Sequence, residues 1–184
     1  MNIITKTAKL ERFQNSTLTC IAPTGTLSIL AGVSSAIEPN FGLVYTKNVL
    51  DDSKLLVINK EFQKYKNESW FTDELLEQIA ETGSIQQMYQ IPQKVRDIFK
   101  VAGDITPEWH VKIQAHFQKW IDNAVSKTVN LPSSATIKDV AEIFILAWKM
   151  KCKGVTVYRD GSRKAQVLTV KGKCSEGECS YEGV

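Results

Sequence analysis

The apolar positions of this chain change period several times, and each change marks an element. Residues 18–22, Leu-Thr-Cys-Ile-Ala, are apolar and β-branched and too few for a helix, so they read as a short buried strand. Pro23 and Gly25 break that run, and Gly25 lets a backbone come close to a ligand. Over 27–37, Ile29, Leu30, Val33 and Ile37 recur at helical spacing, with small residues between them. The pattern predicts a helix packed closely on a sheet, capped by Thr24 or Thr26 and ended by Pro39. Residues 41–50 read as a strand running into a turn at Asp51-Asp52.

Over 53–103 the pattern becomes one of short amphipathic helices. Thr72 caps one, Asp73 and Glu74 occupy its positive first turn, Leu75, Leu76 and Ile79 point inward, and Gly83 stops it. Pro92 opens the next, with Val95, Ile98 and Phe99 as its stripe. The lysine-bearing stretch 60–66 reads as a solvated face. Thr106-Pro107-Glu108 begins another helix, with Ile113, Phe117, Trp120, Ile121 and Ala124 on one face and His110 at its edge. Residues 124–131 read as a strand closed by Pro132. Thr136 and Asp139 then form a capping box, and Val140, Ile143, Phe144, Ala147 and Trp148 give the helix its inner stripe. Lys149, Lys151 and Lys153 sit at its negative end, Gly154 stops it, and 155–158 form the next strand. Strand, helix and strand make a βαβ unit with parallel strands and a right-handed crossover, so the fold class is α/β. Ligands gather where such strands end.

At 184 residues the chain suits one domain with a sizeable core. Apolar and charged fractions of 43% and 23% are ordinary for a globular protein. The net charge of +3 is spread along the chain, which argues against nucleic-acid binding. No apolar run approaches the ~20 residues of a membrane span. Met1-Asn2-Ile3-Ile4 lacks the marks of a signal peptide, and four cysteines outside any dense framework fit a reducing cytoplasm. Residues 1–17 read as a polar leader, either a frayed terminus or a seam to a partner.

The richest candidate chemistry is the turn formed by Ala22, Pro23, Thr24, Gly25, Thr26, Leu27 and Ser28. A helix start offers free N–H groups and partial positive charge, and the hydroxyls of Thr24, Thr26 and Ser28 surround the same point. A phosphate fits such a place without a lysine. No Gly-Lys-Ser/Thr follows, so it is not a Walker loop, and one glycine does not make a dinucleotide fingerprint. A joint that binds nothing is the competing reading. Glu38 is either a charged ligand or a solvated capping residue. His110 is either a satisfied core residue or an acid–base group, and His116 is on another face, so the two make no metal pair. Cys20 and Cys152 read as buried, inert thiols. The Gly-, Lys-, Ser- and Glu-rich tail from 170 carries Cys174 and Cys179, whose spacing allows an incomplete zinc site, a small structural disulfide or a mobile redox dithiol.

Ile21-Ala22-Pro23-Thr24-Gly25-Thr26 followed by Ser34-Ser35-Ala36-Ile37-Glu38-Pro39 resembles the phosphate-binding segment of class II, adenosylcobalamin-dependent ribonucleotide reductases. Three further segments match in order: Asp104-Ile105-Thr106-Pro107-Glu108-Trp109-His110, the run Asp122 to Pro132, and Lys153-Gly154-Val155-Thr156-Val157-Tyr158-Arg159-Asp160-Gly161-Ser162. The resemblance covers about residues 15–168 and only the C-terminal part of such an enzyme. It implies a leader (1–17), the later part of a ten-stranded α/β barrel (18–168) and a redox-cysteine tail (169–184). It further implies a ribonucleoside di- or triphosphate substrate held by residues 22–28, and thiyl-radical chemistry at the ribose. The chain would be the C-terminal part of the large catalytic chain or its separately encoded small subunit, and the radical cysteine would lie in the N-terminal reductase chain. Adenosylcobalamin would be the cofactor of the assembled enzyme, and a thioredoxin-like reductant would act through Cys174 and Cys179. The lone Tyr158, followed by Arg159, lacks the adjacent tyrosine pair of class I enzymes. By this reading the chain alone is inactive. A non-catalytic nucleotide-binding or assembly module is the alternative.

Overall fold

A computed structural model describes residues 16–48 and 54–162; the expectations for the leader before residue 16 and for the tail carrying Cys174 and Cys179 lie outside them. Residues 18–22 enter in extended form and pair with the segment 123–126. Ile21 makes a parallel bridge to Val125, and Thr19 and Ile21 exchange backbone hydrogen bonds with Asn123, Ala124 and Ser126. This is one bridge rather than a full strand, and it is not buried: Leu18, Cys20 and Ala22 are exposed. Helix α1 (Gly25–Ala31) follows and stops well before Pro39, because Gly32 turns into the left-handed region at φ 68°. Its expected inward residues Leu30 and Val33 are 85% and 65% exposed, so within the described residues no sheet covers this face.

Strands β1 (Val44–Asn48) and β2 (Lys54–Ile58) form an antiparallel hairpin, with Val44 opposite Ile58. The second strand replaces the helix expected there. The stretch expected to be a solvated face instead holds a 3₁₀ turn (Phe62–Tyr65) whose Phe62 is fully buried. Tyr65, Trp70, Phe71 and Phe99 surround that ring at centroid distances of 5.3–6.5 Å. Helix α2 (Asp73–Thr82) begins where Thr72 accepts the Leu75 N–H at 3.2 Å and ends where Gly83, at φ 76°, donates to Ile79. Leu75, Leu76 and Ile79 enter the core as the spacing requires. In α3 (Gln93–Ile98) Val95 is buried, but Ile98 is exposed.

A second core forms around a βαβ unit. Helix α4 (Pro107–Gln118) leads to β3 (Thr128–Leu131), then α5 (Ile137–Lys149) and β4 (Thr156–Arg159). β3 and β4 are parallel, with Val129 opposite Val157, and Thr136 and Asp139 form the expected capping box. Val111, Val129, Leu131, Ile143 and Ala147 fill this core. Phe144 and Trp148, expected inward, are exposed, and the end of α5 is turned by Lys151 at φ 61° rather than by Gly154.

The largest departure concerns α4. Its buried positions are His110, Val111, Gln114, Ala115 and Gln118, while Phe117 and Trp120 face outward. The polar residues are buried because the chain brings partners to them. Gln114 Nε2 donates to Val125 O at 2.9 Å and Gly154 O at 2.8 Å. Gln118 Nε2 donates to Asn123 O at 2.8 Å, and its Oε1 accepts the Lys153 N–H. Gln118 is bonded through both ends of its amide and Gln114 through Nε2 alone, and an apolar side chain at either site would orphan the carbonyls they meet.

Candidate phosphate-binding turn

The turn lies between the paired segment 18–22 and α1. Ser28 N–H donates to Thr24 O at 2.9 Å, so the N–H groups of Gly25, Thr26 and Leu27 precede the first intrahelical bond. Gly25 and Thr26 are exposed, and a Cβ added to Gly25 would meet nothing within 4 Å. This glycine answers no packing need of the described residues.

Two expected hydroxyl roles change. Thr24 does not cap α1; it has φ 55°, left-handed for a β-branched residue, and its Oγ1 accepts the Ala36 N–H at 3.1 Å. The Thr24 hydroxyl keeps its own proton for another acceptor. Ser28 is buried and donates to Gly25 O at 2.6 Å, so that hydroxyl is spent on the helix itself. Thr26 stays on the surface. Pro23 O accepts the Ser35 hydroxyl, which ties the far side of the turn to the same loop.

Glu38 is neither solvated nor a cap on its own helix. Its Oε1 accepts the Thr128 N–H at 2.5 Å and its Oε2 meets Lys127 Nζ at 2.7 Å. The Lys127 side chain is fully buried and also lies 2.9 Å from His110 Nδ1. His110, likewise fully buried, has Nε2 3.1 Å from Ala102 O. With an ammonium against Nδ1, the neutral tautomer carries its hydrogen on Nε2 and donates it to Ala102. Burial, and then the Lys127 charge, push the imidazole below its ordinary range; the Ala102 bond and Glu38 offset part of that. The sequence singled out Glu38 and His110 separately, and missed Lys127. The signal was there in the motif Ser126-Lys127-Thr128, a lysine entering an apolar strand.

Asp122 anchors the entering segment. Its Oδ2 accepts the Leu18 N–H, the Thr19 N–H and the Thr19 hydroxyl, and the Leu18 bond is the first cause holding its carboxyl below the usual range. Arg159, beside Tyr158, donates to Ala135 O and Ser133 O and so braces the ends of β3 and β4. Cys20 is exposed and Cys152 half-buried, with burial pushing the Cys152 thiol up; Cys20 is thus not the buried thiol expected.

Among the described residues no three His, Cys, Asp or Glu side chains are grouped to hold a metal ion, and no helix is long and apolar enough to cross a membrane. Both ring nitrogens of His110 are engaged, and His116 lies on the exposed surface of α4.

Two parallel strands joined by a helix, with a third extended segment bridged in parallel beside them and an open helix start after it, define an α/β segment. The chain belongs to the family described as "Ribonucleotide reductase, barrel domain", whose profile matches residues 4–158. It is 46% identical over 159 residues to a vitamin B12-dependent ribonucleoside-diphosphate reductase of Thermoplasma acidophilum, covering 86% of this chain and 21% of that protein. A protein of the same description from Mycobacterium tuberculosis is 43% identical over 157 residues, covering 85% and 22%. Among solved structures, the class Id ribonucleotide reductase alpha subunit of Actinobacillus ureae superposes with a TM-score of 0.66 at 26% identity, covering 80% of this chain and 27% of that one. The chain thus spans about a fifth of the length of these curated relatives.

Proposed function

We propose that this chain supplies the substrate-phosphate turn of a ribonucleotide reductase that converts ribonucleotides to 2′-deoxyribonucleotides. The observation that carries the reading is the open start of α1: three N–H groups before the first intrahelical bond, beside an exposed Gly25. The N–H groups of Gly25, Thr26 and Leu27, with the Thr24 and Thr26 hydroxyls, donate to the phosphate oxygens. A hydrogen bond to a charged group contributes about 1.5–3 kcal/mol, so two or three hold the nucleotide and keep its ribose still. Ser28 stabilises the helix turn rather than the ligand. Ala22 and Pro23 set the path of the backbone.

The radical and its cysteine belong to the remaining four-fifths of the enzyme, and the B12-dependent relatives support adenosylcobalamin as the cofactor that generates it there. When bound, that cofactor supplies a carbon-centred radical. The chain's own residues bind and orient. Cys174 and Cys179 are proposed as the dithiol that returns electrons from a thioredoxin-like reductant, in a cytoplasmic setting. The apolar face of α1, with Leu27 64% and Leu30 85% exposed, fits the rest of the reductase as its partner, because the chain spans only about a fifth of its curated relatives.

The test is Thr24→Val with Thr26→Val in the assembled reductase. The expected outcome is a tenfold or greater loss of nucleotide affinity, measured by equilibrium binding. Unchanged affinity removes the phosphate assignment and leaves a non-catalytic assembly module as the better reading.

A further inference from the structure

The segment 123–128 holds the turn from both sides. On the entry side its backbone pairs with 19–21: Asn123 N–H donates to Thr19 O at 2.9 Å and Ser126 N–H to Ile21 O at 2.9 Å. On the exit side its Lys127 ammonium and Thr128 N–H grip the two oxygens of Glu38. Glu38 N–H in turn donates to Ser35 O at 2.8 Å, which closes the loop 35–38 into a compact turn. That loop delivers the Ser35 hydroxyl to Pro23 O and the Ala36 N–H to Thr24 Oγ1. Both residues at the Thr24–Ala36 bond, at φ 55° and 45°, sit in the left-handed region, a conformation that persists only where surroundings impose it. The outer end of the same chain path is tied as well: Ala102 N–H donates to Asn40 O at 2.8 Å, and Ala102 O accepts from His110, which backs Lys127.

From this arrangement we propose that Ser35, Glu38 and Lys127 are positioning residues for the nucleotide-phosphate turn, acting through Pro23 and Thr24 without touching the substrate, with His110 as the buried support of Lys127. The inference rests on the phosphate reading above. Lys127 and Glu38 fix where the loop 35–38 sits on β3. Ser35 and Ala36 transmit that position to the turn. A nucleotide then meets N–H groups already aimed, instead of ordering them on binding.

The experiment uses the assembled reductase containing this chain, with cytidine diphosphate and cytidine as probes, and reads the ratio of their affinities together with the melting temperature. Ser35→Ala removes only the outer link, at a half-buried position that tolerates it. It is expected to lower the diphosphate-to-nucleoside ratio about fivefold, the effect of one hydrogen bond, with cytidine affinity unchanged. Glu38→Gln and Lys127→Met, which keep shape and remove the ion pair, are expected to lower the ratio tenfold or more below their melting temperatures. Should either fail to fold, Ser35→Ala decides alone. A fall in melting temperature with the ratio intact in all folded variants overturns the positioning role. The Thr24→Val, Thr26→Val protein is run in parallel. If its ratio falls while those of the positioning variants do not, only this inference fails; if its ratio is also unchanged, the phosphate reading fails with it.

Discussion

His110 shows how a single side chain can record its surroundings. It donates Nε2–H to Ala102 and accepts from Lys127 at Nδ1, a set of bonds that only the neutral ring can make. Its pKa is accordingly lowered from the ordinary 6.5, by burial first and the Lys127 charge second. The sign follows from proton linkage. Below pH about 6.5 the unfolded chain takes up a proton that the folded imidazole refuses. The stability His110 contributes is therefore complete above the unfolded value and is lost as pH falls from there through the folded value. Urea unfolding should show a midpoint that is flat between about pH 7 and 8 and declines as pH falls below about 6.5. His110→Gln, which retains a donor for Ala102, should remove that part of the decline; an identical pH profile in the variant would show that the imidazole is not the sensor. At this scale the sequence was partly legible. A histidine on the edge of an apolar face was expected to be satisfied, and it is. Its partners were not legible, since Lys127 is 17 residues away and Glu38 lies 89 from Lys127.

At the scale of elements, most helix starts were readable, as was the buried face of α2, whereas the face of α4 and the ends of α1 and α5 were not. The Thr72 cap, the Gly83 stop, the Pro107 start and the Thr136–Asp139 box all stand where the residues put them. Each depends on bonds spanning three or four residues, so the information is local. The buried side of α4 depends instead on where 123–125 and 153–154 pass. Those segments offer carbonyls, and Gln114 and Gln118 turn to meet them. This gives a prediction opposite to the one that hydrophobic patterning makes. Gln114→Leu places an apolar residue at a buried helical site of similar volume, yet orphans Val125 O and Gly154 O. It should destabilise by about 1–3 kcal/mol, measured by urea unfolding. The same change relieves Gln114 Oε1, which has no partner among the described residues, but that is one acceptor against two orphaned carbonyls. A gain in stability would mean that the amide is dispensable. The extended segment 18–22 teaches the same lesson. Its apolar β-branched residues suit a strand, but only one neighbour is present among the described residues, and a single bridge results.

At the scale of the whole molecule, two cores sit side by side. One is centred on Phe62 and α2, the other on β3, β4 and the inner faces of α4 and α5. The loop 35–40 and the Ala102–Asp104 turn join them. Outside both cores remain Leu27, Leu30 and Val33 of α1 and its following turn, exposed side by side. A leucine fully removed from water contributes about 1.5–3 kcal/mol, so two of them account for a hundredfold or more in association. Leu27→Glu with Leu30→Glu should therefore weaken binding to a chain carrying the rest of the reductase by at least about a hundredfold, by titration calorimetry. Unaltered binding would mean that this face of α1 is not the proposed contact. The two substitutions leave both cores untouched, so the helical content of this chain should be preserved.

The residues alone determined what short-range chemistry controls: where most helices begin, that two strands flank α5 in parallel, and that a hydroxyl-bearing bend opens α1. They also carried the ordered segments by which the chain resembles its family. Only the tertiary structure decided that Ser28 spends its proton on its own helix, that Lys127 rather than solvent receives Glu38, and that polar rather than apolar residues of α4 turn inward. Backbone periodicity and capping act over one helical turn, while the satisfaction of a buried charge or amide depends on which distant carbonyl or carboxylate the chain path brings within about 3 Å.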